Sequence, residues 1–132
     1  MDDIRTRLDL ERLLYNFYAI ATKDEMIGHH FDGIDMEAHL PGFVDFWSKT
    51  LFDKPGYFGN PLLVHEKIHA KSKLDAAQFE RWLEIFRSTV DELYAGKNAE
   101  EAKEKAAVIA RSLNERLSRE KPAYTEISRE DQ

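Results

Sequence analysis

The sequence contains no cysteine, which excludes disulfide bonds, thiolate metal sites, cysteine nucleophiles and thioether-linked cofactors. It also lacks any apolar run close to the roughly 20 residues that a membrane-spanning helix needs. The charged N-terminal stretch MDDIRTRLDL has no apolar core of the kind found in secretory signal peptides. Together these absences predict a cytoplasmic protein that does not cross a membrane.

The sequence also has no excess of positive charge. The chain has 19 Lys and Arg residues against 25 Asp and Glu residues, for a formal net charge of -6. Because nucleic-acid binding usually needs a basic face, we expect no nucleic-acid partner. The length of 132 residues fits one domain, and a hydrophobic share of 42% is typical of globular proteins.

Long stretches with alternating polar and apolar residues are absent, so the sequence predicts no strand. Apolar residues instead recur at helical spacing. The first helix, LERLLYNFYAIA, is predicted to begin with Asp9 as its N-cap. A second helix is predicted from Asp35 to Phe52, with Pro41 weakening its first turn.

Two more helices follow in the second half of the chain. Asp75 and Gln78 have capping-box spacing at the start of the third helix, which is predicted to stop near Gly96. Asn98 and Glu101 repeat this spacing before the fourth. We therefore predict an all-α domain over residues 1–121, followed by a polar C-terminal tail, 122–132, that is expected to be frayed.

The histidines His65 and His69 lie four residues apart in NPLLVHEKIHAKS. The letters HEKIH match the H-E-x-x-H motif of zinc hydrolases, with Glu66 in the position of the general base. The motif normally lies within a long helix and has a third ligand downstream. Here it follows Pro61 in a short segment, and no histidine follows His69. A zinc-dependent hydrolase using His65, Glu66 and His69 is therefore an alternative hypothesis.

Large aromatic side chains are abundant for a small helical core: Phe17, Tyr18, Phe31, Phe43, Phe46, Trp47, Phe79, Trp82 and Phe86. One interpretation is that they only pack on one another, as in a non-enzymatic helical interaction domain. Another is that they line a pocket for a flat apolar cofactor. Haem fits this second interpretation, because it needs one axial imidazole, apolar walls and a few polar groups.

Four segments carry a family resemblance: NFYAIATKDEMIGHHF, HLPGFVDFWSKTLF, YFGNPLLVH and FERWLEIFRSTVDELY. In these motifs, their order and their spacing, the chain resembles the truncated haemoglobins, most closely the group III subfamily, over about residues 8–117. The resemblance implies the truncated globin fold, a two-over-two helical sandwich around haem b.

The resemblance also implies roles for individual residues. His65 matches the proximal histidine that binds the haem iron. Tyr18 and Trp82 match the distal residues that donate hydrogen bonds to a bound diatomic ligand. His39 matches a distal histidine thought to gate the pocket, and Phe31 matches the phenylalanine that packs on the haem face.

Phe43, Phe46 and Trp47 are expected to complete the apolar wall of the haem pocket. Gly42 stands where many truncated globins carry a basic residue for a haem propionate, and Val64, before the proximal histidine, is also uncharged. The remaining candidates for contacting the propionates are Tyr57, Lys67, His69 and Lys71.

The function implied is binding of oxygen, nitric oxide or carbon monoxide at pentacoordinate iron. Two donors over the ligand site favour slow oxygen release, which suits nitric oxide oxidation or peroxide chemistry better than transport. A nitric oxide dioxygenase or peroxidase-like activity would need a reductase, whose identity the sequence does not indicate. We expect a monomer or a weak homo-oligomer.

Overall fold

The computed structural model describes residues 1–54, 65, 68–69 and 73–126, with side chains of the last helix as far as residue 118. Its elements are α1 (Arg7–Ala21), a 3-10 helix (Gly28–Phe31), α2 (Met36–Phe52), α3 (Ala76–Leu93) and α4 (Lys97–Glu126). No strand occurs within the described ranges. The prediction of an all-α fold is confirmed.

The start of α1 corrects the predicted cap. Thr6, and not Asp9, is the N-cap, and its hydroxyl accepts a hydrogen bond from the Asp9 N–H at 3.2 Å. The Asp9 carboxylate accepts in return from the Thr6 N–H at 3.0 Å. The two residues form a capping box in which Asp9 occupies the third helical position, so the helix starts earlier than its apolar stripe indicates.

The start of α2 agrees with the sequence pattern, since the Asp35 carboxylate accepts a hydrogen bond from the Ala38 N–H at 3.2 Å. Pro41 lies inside a helix that is continuous to Phe52. Because proline has no N–H, the Glu37 carbonyl loses one helical hydrogen bond.

A capping box has two hydrogen bonds, and the one predicted at the start of the third helix forms only one of them. The Asp75 carboxylate accepts from the Gln78 N–H at 3.1 Å. The Gln78 side chain does not complete a capping box, because its Oε1 atom is hydrogen-bonded to His30 Nε2 at 2.9 Å. The helix ends at Leu93, three residues before the predicted Gly96.

The start of α4 depends on the opposite end of the chain. The Asp3 carboxylate accepts hydrogen bonds from the N–H groups of Asn98 at 2.9 Å and Ala99 at 2.8 Å. Asn98 is therefore inside the first turn and is not its cap, which corrects the prediction. Its side chain donates to the Ile4 carbonyl at 2.7 Å. A Cβ atom on Gly96 would lie 2.5 Å from Asp3 Cγ.

The last helix extends to Glu126, past residue 121, where the sequence pattern places the end of the domain. The helix therefore includes the first residues of the predicted tail. The domain boundary itself stays a prediction.

The helices form two packed pairs, α1 with α2 and α3 with α4, and α1 also packs on α3 and α2 on α4. This is a two-over-two arrangement. The main core contains Phe17 of α1, Val44 and Trp47 of α2, and Phe86 and Val90 of α3. A smaller cluster joins α3 and α4 and consists of Leu74, Phe79, Ala110, Leu113 and Leu117. In the described part of the chain, no helix is long and apolar enough to span a membrane.

Candidate functional site

Tyr18 lies on α1 within a group of aromatic rings. Its ring stacks on Phe43 of α2 at a centroid distance of 4.8 Å and meets Phe31 edge-on at 5.8 Å. Phe17 is also edge-on, at 4.7 Å. Burial raises the pKa of the Tyr18 hydroxyl above its ordinary value of 10.0. The hydroxyl is therefore protonated at neutral pH and can donate a hydrogen bond.

Trp82 on α3 is connected to this group through Phe17, whose ring it meets edge-on at 5.7 Å. It stacks on Phe86 at 5.5 Å with an interplanar angle of 14°. The Phe86 ring in turn stacks with Trp47 at 5.0 Å. Aromatic contacts thus hold Trp82 against Phe17 of α1 and against Phe86 of its own helix.

Two polar atoms among these aromatic side chains have no hydrogen-bond partner within the described ranges. They are the Tyr18 hydroxyl and the Trp82 indole N–H. Both side chains contact the Phe17 ring, Tyr18 from α1 and Trp82 from α3. A donor in apolar surroundings is stabilised when it finds an acceptor. This pair is chemically suited to hold a small polar ligand.

His39 lies on the exposed side of α2. Its Nδ1 atom is 2.9 Å from the Asp35 carbonyl oxygen, and because the carbonyl accepts, Nδ1 carries the proton. Its ring centroid is 6.4 Å from that of Phe43. The structure therefore places His39 at the solvent edge of the aromatic group, with Nε2 as the acceptor in the neutral ring.

The other predicted wall residues differ in their burial. Trp47 is only 5% exposed and belongs to the core. Phe46 meets its ring edge-on at 5.6 Å and is partly buried, as are Phe31 and Phe43. The three partly buried phenylalanines are thus the better placed to face a cofactor, whereas Trp47 is buried in the core beside Phe46.

His65 and His69 have different surroundings. His65 is half-buried, with its ring centroid 6.5 Å from that of Phe79. His69 is also half-buried, but its Nδ1 atom accepts a hydrogen bond from the Leu74 N–H at 2.9 Å. The His69 ring thus stabilises the backbone at Leu74, just before α3 begins.

Several predicted site residues lie outside the described ranges, and they are Tyr57, Val64, Glu66, Lys67 and Lys71. Within residues 1–54, 65, 68–69 and 73–126, no group of three or more His, Asp or Glu side chains is arranged to hold a metal ion.

Sequence reasoning missed two polar bridges beside the aromatic group. Arg81 Nε donates to the Asp24 carboxylate at 2.9 Å, and Arg81 Nη2 is 2.7 Å from the same oxygen. Hydrogen bonding by Arg81 holds the pKa of Asp24 below its usual value. The second bridge joins Gln78 to His30. The bridged residues are 57 and 48 positions apart, so no local pattern indicates either pair.

The family model described as "Bacterial-like globin" matches residues 2–115. Among solved structures, a group III truncated hemoglobin from Campylobacter jejuni is similar, with a TM-score of 0.79 and 22% sequence identity. The match covers 89% of this chain and 95% of that chain. No curated protein matches the chain. The structural match confirms the truncated globin fold expected from the sequence.

Proposed function

The chain belongs to the bacterial-like globin family, which implies a haem cofactor, and from this premise we propose that it binds haem b and, through it, oxygen and nitric oxide. The observation that carries the proposal is that Tyr18 and Trp82, two donors without a partner in the described chain, contact the same ring, Phe17. Haem supplies an iron at which small diatomic gases, carbon monoxide included, can bind.

His65 is the proposed iron ligand. Its imidazole is half-buried beside Phe79 at the second core cluster, so its position is supported by packing. His69 is less suited, because the Leu74 N–H occupies its Nδ1 lone pair. His39 is on the exposed side of α2, where its ring is hydrogen-bonded to the Asp35 carbonyl. We propose that it gates entry of the ligand.

Tyr18 and Trp82 are proposed to hydrogen-bond the ligand. The raised pKa of Tyr18 keeps its proton in place at neutral pH, and an indole N–H only donates. Two donors in apolar surroundings stabilise a ligand that carries partial negative charge. Phe31 and Phe43, whose rings contact Tyr18, are proposed to exclude water from the ligand together with Phe46, which would strengthen both hydrogen bonds.

Slow ligand release follows from this arrangement and favours chemistry over transport. We propose nitric oxide oxidation or peroxide reduction as the reaction, with a separate reductase returning electrons to the protein. The role of this chain's residues is to orient the ligand, exclude water and supply hydrogen bonds.

The absorption spectrum of the purified protein tests haem binding. We expect a Soret band, and we expect His65→Ala to lose the band of the histidine-ligated protein. His69→Ala is the matched control and should keep that band, because only one imidazole is proposed as ligand. Colourless protein with one equivalent of zinc would instead support the hydrolase hypothesis. Colourless, metal-free protein that is folded and takes up no added haemin would support a helical interaction domain.

Oxygen dissociation tests the two donors. Tyr18→Phe and Trp82→Phe should each release oxygen about tenfold faster or more, since a hydrogen bond to a charged group contributes roughly 1.5–3 kcal/mol. Tyr15→Phe removes a hydroxyl from the exposed face of the same helix and should leave the rate unchanged. If both distal variants release oxygen at the parental rate, the proposed donor roles are wrong.

A further inference from the structure

The outer face of α1 carries two large apolar side chains that its own fold leaves in solvent. Leu8 is 71% exposed and Tyr15 is 68% exposed. They are seven residues apart, which is about two helical turns, so they lie on one side of the helix. Glu11 and Arg12 stand between them on the same side. The outer face of α1, defined by these four residues, is therefore apolar at both ends and charged in the middle.

This face borders a groove of about 790 Å³ between α1 and α2. The groove is lined by all four residues of the outer face, and α2 contributes Glu37, Leu40, Pro41 and Val44. Val44 is fully buried, and Leu40 is partly buried against the main core. The apolar surface thus continues from α1 onto α2.

From the order of these residues we propose that the outer face of α1 pairs with that of a second copy of this chain. In an antiparallel pair whose two-fold axis passes between residues 11 and 12, Leu8 lies opposite the partner's Tyr15. In the same register Glu11 lies opposite the partner's Arg12. Each of these contacts occurs twice by symmetry, so the face is complementary to itself in both apolarity and charge.

The charged residues are free enough to make these contacts. The Glu11 side chain is 47% exposed, and its ion pair with Arg7 is long, at 3.6 Å. The Arg12 guanidinium rests over the Tyr94 ring at 5.7 Å from the centroid, while the residue is exposed. Because exposed ion pairs contribute little, reorienting Glu11 costs little. Arg12 exchanges its cation–π contact with the Tyr94 ring for the new ion pair.

One helix pair buries less area than the roughly 1,200–2,000 Å² of a stable interface. The dimer should therefore be weak, with a dissociation constant on the order of 100 μM, and it should exchange rapidly. The apolar contacts supply the affinity, and the charges select the antiparallel register.

Sedimentation velocity of the full chain tests the pairing. The loading concentrations run from about 10 μM to 1 mM and so span the expected dissociation constant. The parent should show a sedimentation coefficient that rises with concentration. Arg12→Glu places like charges opposite each other at two symmetric contacts, and it should weaken association about tenfold or more. Glu11→Arg should do the same. The double variant Glu11→Arg, Arg12→Glu restores both opposite-charge contacts and should dimerise as the parent does.

Arg87→Glu is the matched control for charge, since it reverses an exposed arginine on α3 and should leave association unchanged. Val108→Asp is the matched control for Leu8→Asp, because Val108 is an apolar residue 52% exposed on α4, and it should also leave association unchanged. Leu8→Asp should abolish the concentration dependence. Far-UV circular dichroism verifies that each variant is folded. A parent that stays monomeric at 1 mM, or a double variant that does not recover, would overturn the proposal, whether or not the protein binds haem.

Discussion

At the scale of single residues, His30 has the most unusual surroundings. Its Nε2 atom donates to Gln78 Oε1 at 2.9 Å, so the neutral ring has no proton on Nδ1. Nδ1 is buried and has no hydrogen-bond partner in the described part of the chain. Protonation would place an unsatisfied N–H there. Burial therefore lowers the pKa of His30 below its ordinary value of 6.5, although the bond to Gln78 acts in the opposite direction.

This environment predicts that the protein loses stability in mild acid. The unfolded chain protonates His30 more readily than the folded chain does, so the stability is fully present above pH 6.5 and is lost as the pH falls below that value. One proton limits the slope to about 1.4 kcal/mol per pH unit. Urea unfolding between about pH 5 and 7.5, around the ordinary histidine pKa, should show a smaller slope for His30→Gln than for the parent.

The matched control for this titration is His29→Gln, since His29 is the exposed neighbour whose ring centroid is 4.0 Å from that of His30. This variant should keep most of the parental slope. Equal slopes in the parent and His30→Gln would show that the orphaned Nδ1 atom does not control the acid response.

At the scale of elements, the start of α4 depends on a carboxylate from the N-terminal segment. Partial burial tends to raise the pKa of Asp3, but hydrogen bonds from the N–H groups of Asn98, Ala99 and Ile4 outweigh it and lower the pKa. The ionised carboxylate thus satisfies two N–H groups that the first turn of a helix leaves free. The cap also attaches the segment before α1 to α4.

We predict that Asp3→Ala lowers the free energy of unfolding by about 1–2 kcal/mol, which is typical for loss of an N-cap. Asp2→Ala is the matched control, because the Asp2 side chain is 87% exposed and makes only a 4.0 Å contact with Arg5. Urea unfolding at neutral pH measures both variants. The cap contributes no stability if the two variants unfold at the same urea concentration.

At the scale of the whole molecule, two polar bridges fasten the chain between α1 and α2 onto α3. Asp24 is bound by Arg81, and His30 is bound by Gln78. Arg81 is adjacent in sequence to Trp82. The Asp24 side chain is 7% exposed and also accepts from the N–H groups that follow it. The bridges therefore fix the segment that carries Phe31 relative to the helix that carries the proposed donor.

If this connection sets the geometry of the proposed ligand site, Arg81→Leu should accelerate oxygen release about two- to fivefold, although Arg81 is not proposed to contact the ligand. Effects of this size are typical of coupling through packed neighbours. Arg87→Leu, an exposed position on the same helix, is the control and should leave the rate unchanged. Stopped-flow displacement of oxygen by carbon monoxide measures both. Identical rates in Arg81→Leu and the parent would confine the bridge to a structural role.

Local signals in the sequence predicted the four helices and one of their caps, Asp75, and they placed the start of the second helix at Asp35. Asp35 and Asp75 each bind an N–H group three residues ahead, so nearby residues are sufficient to predict them. The capping box of Thr6 and Asp9 is equally local, but the helix begins before its apolar stripe, so the stripe does not mark the cap. The family resemblance was also evident from short motifs, because each motif is a run of consecutive residues.

Tertiary structure alone decided which distant groups meet. The Asp3 carboxylate caps a helix about 95 residues away, and Gln78 binds His30 where a local capping box was expected. Tyr18 and Trp82 meet at Phe17 only because α1 packs on α3. Helical periodicity specifies which side of a helix is apolar. It does not specify which polar atoms of another helix will lie beside it, because that depends on how the helices pack.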